Sequence, residues 1–292
     1  MQKIMKKVLV TGGLGFVGST LVKKLKQEGI YDITVIDNLS SPSSNASYKE
    51  EGVEYIIDDI LNIDNISYKD LNFDIIYHLA GLARIQPSFK NPIKYFNNNT
   101  FGTVKVCDLA RRCKAKIIYA GSSSAYAGTM NSPYAYFKFN GEEICKLFSQ
   151  LYDMSAVTAR FFNVYGKRQP TEGKFATVLG IFERQCKAKE PLTVVGDGEQ
   201  RRDFTHVNDI VNGLIELSKG DYKGEIYNLG TGRNYSINEL VKFFECTSVN
   251  IPERPGEARL SIADITKTKQ KLNWEPTHSL RQYIKDFLNN IK

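Results

Sequence analysis

The sequence predicts an α/β fold, in which a doubly wound parallel sheet carries helices on both faces and a smaller C-terminal lobe follows. The main observation is that short apolar runs alternate with helical patterns through the first half of the 292-residue chain, as in βαβ units. A second observation is that glycines, prolines and charges become denser after about residue 163. The length also suits roughly two domains.

The predicted strands are short and strongly apolar. They cover residues 8–10, 33–36, 53–57, 75–79, 116–120, 157–162 and 226–229. The predicted helices have apolar residues three and four positions apart, the spacing of one helical face. They cover residues 16–28, 99–112, 134–152, 176–188 and 280–291.

These elements predict two units. Residues 1–162 form a nucleotide-binding domain of the Rossmann-like type, and residues 163–292 form a smaller substrate-binding lobe. A segment near 205–230 is expected to return to the first unit, because its apolar run ends at Gly230 like a last strand of the sheet.

Composition and charge exclude several classes of protein. With 42% hydrophobic and 24% charged residues, the chain is neither a collagen, a coiled coil nor fully disordered. No stretch approaches the about 18 consecutive apolar residues of a membrane span, so no membrane association is expected. The net charge of +7 is spread along the chain, which argues against nucleic-acid binding.

Cysteine and histidine usage gives no sign of a metal site or a disulfide framework. The five cysteines are scattered, odd in number and free of CxxC spacing, and the chain has three histidines. This pattern is typical of free thiols in a reducing setting. We therefore expect a cytoplasmic protein that binds no metal.

A glycine-rich turn is the strongest local signal. Gly12, Gly15 and Gly18 follow the first predicted strand and open the first helix, the context in which such glycines receive a pyrophosphate at a helix N-terminus. Asp37 ends the second strand about 20 residues later, where a carboxylate accepts both ribose hydroxyls. Because that carboxylate repels a 2′-phosphate, the pattern favours NAD over NADP.

Further motifs occur in a fixed order along nearly the whole chain. They are DNLSS at 37–41, DDI at 58–60, HLAG at 78–81, NTFGT at 99–103, SSS at 122–124, YAYFK at 134–138, RFFNVYG at 160–166, RDFTHV at 202–207, NLGTG at 228–232 and RPGE at 254–257. With the G-x-x-G-x-x-G spacing, the sequence resembles the extended short-chain dehydrogenase/reductase superfamily, in its nucleotide-sugar epimerase/dehydratase branch.

This resemblance implies where the cofactor binds. The residues that would contact NAD are Gly12, Gly15, Phe16, Val17, Gly18, Asp37, Asn38, Asp59, Ile60, Leu79, Ala80, Asn99, Tyr134, Lys138 and Phe161. Among them, Asp59 and Ile60 would flank the adenine, and Leu79 and Ala80 would line the cofactor cleft.

The resemblance also implies a catalytic group of Ser122, Tyr134 and Lys138. Tyr134 and Lys138 are four residues apart on a predicted helix and so share a face. A free tyrosine, with a pKa of ~10, is a poor base at neutral pH. The Lys138 ammonium and an oxidised nicotinamide are expected to lower that pKa, so that Tyr134 removes a proton from a sugar hydroxyl held by Ser122.

The residues after Ser122 discriminate between reactions within this branch. Sugar 4,6-dehydratases carry an Asp-Glu pair there and uronate decarboxylases a glutamate, whereas this chain has Ser123 and Ser124. Because hydroxyls cannot replace carboxylates as acids and bases, the sequence favours 4-epimerisation of a UDP-hexose through transient oxidation at C4. The alternatives are another nucleotide-sugar dehydratase or reductase, and a non-catalytic NAD-binding relative.

The substrate would be bound by residues of both units. The resemblance assigns Ser122, Ser123, Asn163, Arg202, Arg254 and Ser261 to it, with the two arginines on the diphosphate. The small Ser261 suggests room for a 2-acetamido group, so UDP-N-acetylglucosamine is expected beside UDP-glucose. The loop 127–133 is shorter than in relatives, which leaves the identity of the sugar open. Relatives imply a homodimer through helices near 99–112 and 134–152.

Overall fold

The computed structural model describes residues 5–64 and 72–291. The strands of the described residues are β1 Lys6–Thr11, β2 Tyr31–Ile36, β3 Glu54–Ile56, β4 Ile75–His78, β5 Lys116–Ser122, β6 Ala156–Phe161, β7 Val164–Tyr165, β8 Leu192–Val195, β9 Arg201–Arg202, β10 Thr205–His206, β11 Lys223–Leu229, β12 Tyr235–Ser236 and β13 Ser248–Ile251. Seven of them form one parallel sheet in the order β11-β6-β5-β4-β1-β2-β3. The predicted α/β fold with a doubly wound parallel sheet is therefore confirmed.

The helices fill the two faces of this sheet and the C-terminal lobe. They are α1 Phe16–Glu28, α2 Ile85–Lys90, α3 Pro92–Phe96, α4 Gly102–Cys113, α5 Pro133–Tyr152, α6 Val178–Lys187, α7 Val207–Lys219, α8 Ile237–Phe244, α9 Thr266–Lys271 and α10 Leu280–Ile291. A π-helical segment, Asn97–Phe101, joins α3 to α4.

Two apolar cores lie on opposite faces of the sheet, because neighbouring residues of a strand point to opposite sides. Val8 and Val10 of β1 pack into one core with residues of α1 and α7. Leu9, between them, packs into the other core with residues of α4 and α5. Continuous apolar strands such as β1 are thus explained by burial on both faces.

A third core lies wholly beyond residue 163. It contains Phe182, Phe244 and Ile284 from α6, α8 and α10. The segment predicted to return to the sheet contains β11, which pairs with β6 in parallel. The division at 162/163 itself stays a prediction.

Two substantial helices, α7 and α8, were not predicted. Both are amphipathic, and α7 buries Val207, Ile210, Val211 and Leu214 at helical spacing. Both follow directly on two-residue strands, with His206 and Ser236 as N-caps. A two-residue strand is too short to show an alternation of apolar and polar residues. The sequence pattern therefore does not indicate where the following helix begins. Among the described residues, no helix has the length and apolarity to cross a membrane.

Candidate active site

The glycine-rich turn lies between β1 and α1 at the carboxyl edge of the sheet. Gly12 has φ of +72°, and a Cβ there would lie 2.8 Å from the backbone nitrogen of Ala80. A Cβ on Gly18 would collide with the carbonyl oxygen of Gly12. The absence of a side chain at Gly18 therefore allows the first turn of α1 to pack directly against the glycine-rich turn. Gly15 caps α1 without a side-chain hydrogen bond, which leaves the first N–H groups of the helix available to an anion.

Asp37 directly follows β2 and is 6% exposed. Its carboxylate accepts hydrogen bonds from the backbone N–H of Leu14 at 3.0 Å and of Leu39 at 2.8 Å. It therefore ties the glycine-rich turn to the end of β2. Asn38 donates to the Asp59 carboxylate at 2.7 Å, and both line an open cleft of about 610 Å³. Ile60, beside Asp59, is buried.

A chain of buried hydrogen bonds fixes the end of β4. Thr103 donates to the carbonyl of Asn99 at 2.8 Å, so its oxygen must accept from His78 Nε2 at 3.1 Å. Nδ1 of His78 then accepts from the Thr11 hydroxyl at 2.8 Å, and Thr11 Oγ1 accepts from Ala80 N–H. Burial lowers the pKa of His78 to about 3, so the ring stays neutral and the network keeps one arrangement.

Asn99 holds the loop after β4 rather than facing open solvent. Its side chain is 1% exposed and pairs with both backbone groups of Leu82, at 2.8 Å and 2.9 Å. Asn99, predicted to contact NAD, therefore also has a structural role, because it holds the chain just after Leu79 and Ala80, the predicted wall of the cofactor cleft.

These residues fit a bound dinucleotide. The turn leaves no room for a Cβ at Gly12 or Gly18, the helix N-terminus is uncapped by any side chain, and a buried carboxylate stands at the end of β2. Phe16 and Val17 form the first turn of α1. Phe161 ends β6, opposite Ser122 in the sheet register, so the predicted contacts share one edge.

Ser122 and Tyr134 meet at that same edge. The Tyr134 hydroxyl donates to Ser122 Oγ at 3.1 Å, and Ser124 also donates to it, from its hydroxyl at 2.9 Å. Ser132 is the N-cap of α5 and Pro133 is its first residue. Tyr134 therefore lies in the first turn of a helix whose N-terminus is stabilised by a side-chain cap. Ser123 begins the short turn after β5. The predicted Ser–Tyr pair is thus within direct hydrogen-bonding distance.

Lys138 stands one turn later on α5 and is 7% exposed. Its ammonium donates to the carbonyl of Ala120 at 2.7 Å, and burial lowers its pKa to about 8. The expected lowering of the Tyr134 pKa by Lys138 together with an oxidised nicotinamide stays a prediction. In the protein itself, burial raises the pKa of Tyr134, and Ser122 and Arg84 oppose the rise.

The residues predicted for the substrate are spread over several segments. Asn163 has φ of +26° and donates to the carbonyl of Asp203 at 2.8 Å. Arg202, on β9, is largely buried and lies 3.9 Å from Glu257, while Arg254 is exposed. Ser261 is buried, and its hydroxyl has no hydrogen-bond partner among the described residues. A hydroxyl or carbonyl group of a ligand would give the Ser261 hydroxyl a hydrogen-bond partner.

The short loop before α5 is covered by a segment of the C-terminal lobe. Gln86 of α2 donates to the carbonyl of Pro255 at 2.7 Å. The neighbouring Gly256 has φ of +75°, and a Cβ there would lie 2.9 Å from the carbonyl of Asn131. The segment that carries Arg254 thus closes against α2 and the loop 127–133.

Asp203, which lies within the RDFTHV motif but was not singled out by the sequence analysis, connects several segments that carry predicted site residues. It is fully buried, and its carboxylate accepts from Thr231 N–H at 2.9 Å, from the Thr231 hydroxyl at 2.6 Å, from Gly232 and from Ala263. It thereby joins the NLGTG motif to the segment that holds Ser261. Burial raises its pKa against the effect of these donors.

Fold and site together define an α/β enzyme that works with a bound dinucleotide. A model of the NAD dependent epimerase/dehydratase family matches residues 8–230. The chain belongs to this family, and its cofactor is NAD.

Three similar proteins illustrate the range of the family. A putative UDP-glucose 4-epimerase of Methanocaldococcus jannaschii is 32% identical, over 98% of both chains. UDP-glucuronic acid decarboxylase 2 of Arabidopsis thaliana is also 32% identical, over 98% of this chain and 69% of its own. The structure of a UDP-glucose 4-epimerase of Thermotoga maritima with UDP-glucose superposes with a TM-score of 0.91, at 30% identity and 97% coverage of both chains.

Proposed function

We propose that the protein is an NAD-dependent UDP-hexose 4-epimerase. The observation that carries this proposal is the Tyr134–Ser122 hydrogen bond at the dinucleotide edge of the sheet, in a site whose next residues are Ser123 and Ser124. Relatives of similar identity include both epimerases and decarboxylases, so the choice depends on the residues around Ser122.

The roles of the chain's own residues follow from their positions. Ser122 would hold the 4-hydroxyl of the sugar, and Tyr134, as phenolate, would take its proton and later return it. Lys138 fixes the end of β5 through Ala120 and adds positive charge to the site. Arg202 and Arg254 would bind the diphosphate, for which guanidinium groups are well suited. When bound, NAD supplies the acceptor, and then the donor, of the C4 hydride.

The surroundings of Ser122 argue against elimination and decarboxylation. Ser123 and Ser124 lack carboxylates, and the buried Glu142 of α5 is already engaged: it accepts hydrogen bonds from Arg160 at 2.9, 3.1 and 2.5 Å. A carboxylate paired in this way is not free to move protons at C5 or C6. A simple redox cycle at C4 needs none, because Tyr134 handles the only proton.

The sugar is proposed to include 2-acetamido hexoses. Ser261 is small and buried, and its free hydroxyl lies one residue from a β-bridge between Leu260 and Arg201. Its backbone N–H donates to the carbonyl of Arg201 at 3.0 Å, so the position directly adjoins Arg202. A bulky side chain there would fill the space that an acetamido group needs.

Proton NMR of the protein with NAD and UDP-N-acetylglucosamine, and in parallel with UDP-glucose, tests this proposal. We expect the C4 epimer of each sugar, with no net NADH and no 4-keto product. In Ser261→Tyr we expect about 100-fold lower kcat/KM for the acetamido sugar with UDP-glucose turnover retained, whereas Ser261→Ala serves as the matched control. A 4-keto-6-deoxy or a decarboxylated product would refute the epimerase assignment.

We further propose a cytoplasmic homodimer that pairs through α4 and α5. Large exposed apolar side chains lie on α5 and at the end of the π-helical segment that leads into α4, including Leu147 at 49%, Leu151 at 65% and Phe101 at 46% exposed. Sedimentation equilibrium is expected to give twice the chain mass, and Leu151→Glu, at the most exposed of the three, is expected to give a monomer. A wild-type monomer at micromolar concentration would contradict the proposal.

A further inference from the structure

Two cysteines of the C-terminal lobe lie side by side, although 60 positions separate them in the chain. Cys246 Sγ is 3.1 Å from Cys186 Sγ and 3.2 Å from the carbonyl oxygen of Phe244. Both cysteines are free thiols. Because the sulfur atoms of a disulfide are about 2.05 Å apart, these two need to approach by only about 1 Å to form a bond.

Two neighbouring turns of the chain bring the cysteines together. Cys186 lies in the last turn of α6, before the chain enters β8. Cys246 comes directly after Glu245, whose φ of +55° ends α8 and leads the chain toward β13. β8 and β13 pair in parallel, and Leu192 N–H donates to the carbonyl of Thr247 at 2.8 Å. Backbone hydrogen bonds therefore hold the two cysteine-bearing turns next to each other.

The pair lies at the rim of the third core. Both cysteine side chains pack against that core, which contains Phe182 and Phe244, yet both remain partly exposed. The reactivity of a cysteine depends on such access as well as on its protonation. A small solute can therefore reach the two sulfur atoms.

A second pair of cysteines provides an internal comparison. Cys107 of α4 and Cys145 of α5 have their sulfur atoms 3.8 Å apart, and both side chains are 0% exposed. They lie in the core between the sheet and these two helices, where the surrounding side chains shield them from solutes. Proximity and access thus coincide at Cys186 and Cys246, whereas the buried pair has proximity alone.

The protonation of the thiols favours one order of attack. Burial, and then the neighbouring Cys246 thiol, raise the pKa of Cys186 to about 12. Cys186 is therefore protonated at neutral pH. Since the thiolate is the attacking species in disulfide exchange, the first attack on an oxidant falls to Cys246.

We propose that Cys186 and Cys246 are a redox modification site, which closes to an intramolecular disulfide when oxidised glutathione rises. This inference does not depend on the proposed function. In the proposed cytoplasmic setting the pair is a thiol pair most of the time, since disulfides of cytosolic proteins are usually transient and redox-sensing. The bond is expected to open again when reduced glutathione prevails.

The reaction is an exchange of one disulfide for another. The Cys246 thiolate attacks one sulfur of oxidised glutathione, so that a mixed disulfide forms and one reduced glutathione leaves. Cys186 Sγ then attacks Cys246 Sγ, loses its proton to solvent and displaces the second glutathione, which takes up a proton. The two protein thiols lose two electrons in total, and these reduce one oxidised glutathione to two thiols.

The disulfide would close a ring through much of the C-terminal lobe. The ring contains Arg202, which is proposed to bind the diphosphate, Asp203, and β11, the last strand of the large sheet. A cross-link lowers the conformational freedom of the unfolded chain over this length. The oxidised protein is therefore expected to unfold at a temperature about 5 °C higher than the reduced protein.

Mass spectrometry tests the site directly. The full chain is reduced, freed of reductant, incubated with oxidised glutathione, unfolded in urea and labelled with N-ethylmaleimide, which blocks thiols. We expect five labels before oxidation and three after it, a Cys186–Cys246 link in peptides mapped without reductant, and labels on Cys107 and Cys145. Five labels after oxidation, a link between other cysteines, or a bound glutathione without ring closure would overturn the inference.

Three variants separate the roles of the cysteines. Cys186→Ser keeps the first attacking thiol and is expected to retain one glutathione, whereas Cys246→Ser is expected to retain far less. Both are expected to lose the rise in unfolding temperature upon oxidation. Cys113→Ser, which removes a partly exposed cysteine at the end of α4, is the matched control and is expected to keep the link and the rise. A rise of equal size in Cys246→Ser would show that the disulfide is not its cause.

Discussion

Replacing Tyr134 with phenylalanine is expected to reduce epimerisation by about 10²- to 10⁴-fold, the usual contribution of a positioned acid–base group. The substitution removes the hydroxyl that donates to Ser122 at 3.1 Å and keeps the ring that packs edge-on against Tyr95. Structure and cofactor binding are therefore expected to survive. The measurement is the initial rate of C4 epimer formation by NMR at saturating UDP-sugar.

The matched control is Tyr136→Phe, two residues later on the same helix. Its side chain is 41% exposed and packs against Phe137, so its hydroxyl is not placed at the sheet edge. We expect activity within a factor of two or so of wild type, as is usual for surface substitutions. Equal loss in both variants would show that the effect comes from α5 as a whole and not from the base.

The second large effect is expected for Asp203→Ala. The substitution leaves four donors without their acceptor, three on the partly buried Thr231 and Gly232 and one on the buried Ala263. Each unsatisfied buried group costs about 1–3 kcal/mol, and neighbouring costs do not simply add. We expect the free energy of unfolding to fall by about 3 kcal/mol or more, together with the loss of substrate binding. Urea denaturation and UDP titration measure the two effects.

Asp221→Ala is the control for Asp203. Asp221 is 87% exposed in its side chain and pairs with Lys116 at 3.2 Å, and such surface pairs contribute under about 1 kcal/mol. An Asp203→Ala protein that unfolds at the urea concentration of Asp221→Ala would show that the four hydrogen bonds carry no net stability.

The cofactor edge of the sheet could be predicted because local sequence determines it. A strand, three spaced glycines and a helix start place Gly12 and Gly18 where any side chain would collide with backbone. Asp37 follows the next strand, and parallel strands bring their carboxyl ends to one edge. Ser122, Tyr134 and Lys138 were predicted from the family resemblance, and the helical spacing accounts only for the shared face of Tyr134 and Lys138.

The polar partners of that edge could not be predicted, because they come from distant parts of the chain. Asp203 bonds residues 28 and 60 positions later, and Arg84 reaches Phe175, 91 positions away. The positive φ of Arg84 has no signature in the sequence, since an arginine carries no preference for it. The ammonium of Lys138 donates a hydrogen bond to a backbone carbonyl, and the i,i+4 spacing does not reveal this contact.

The position of β11 beyond β6 has a consequence during synthesis on the ribosome. Residues 6–161 complete six strands of the sheet, but the seventh, Lys223–Leu229, emerges about 60 residues after β6. Until then β6 remains an open edge with unpaired N–H and C=O groups, a template for pairing with another chain. The nascent protein thus passes through a stage that is prone to aggregation, and a chain cut after residue 162 would remain in it.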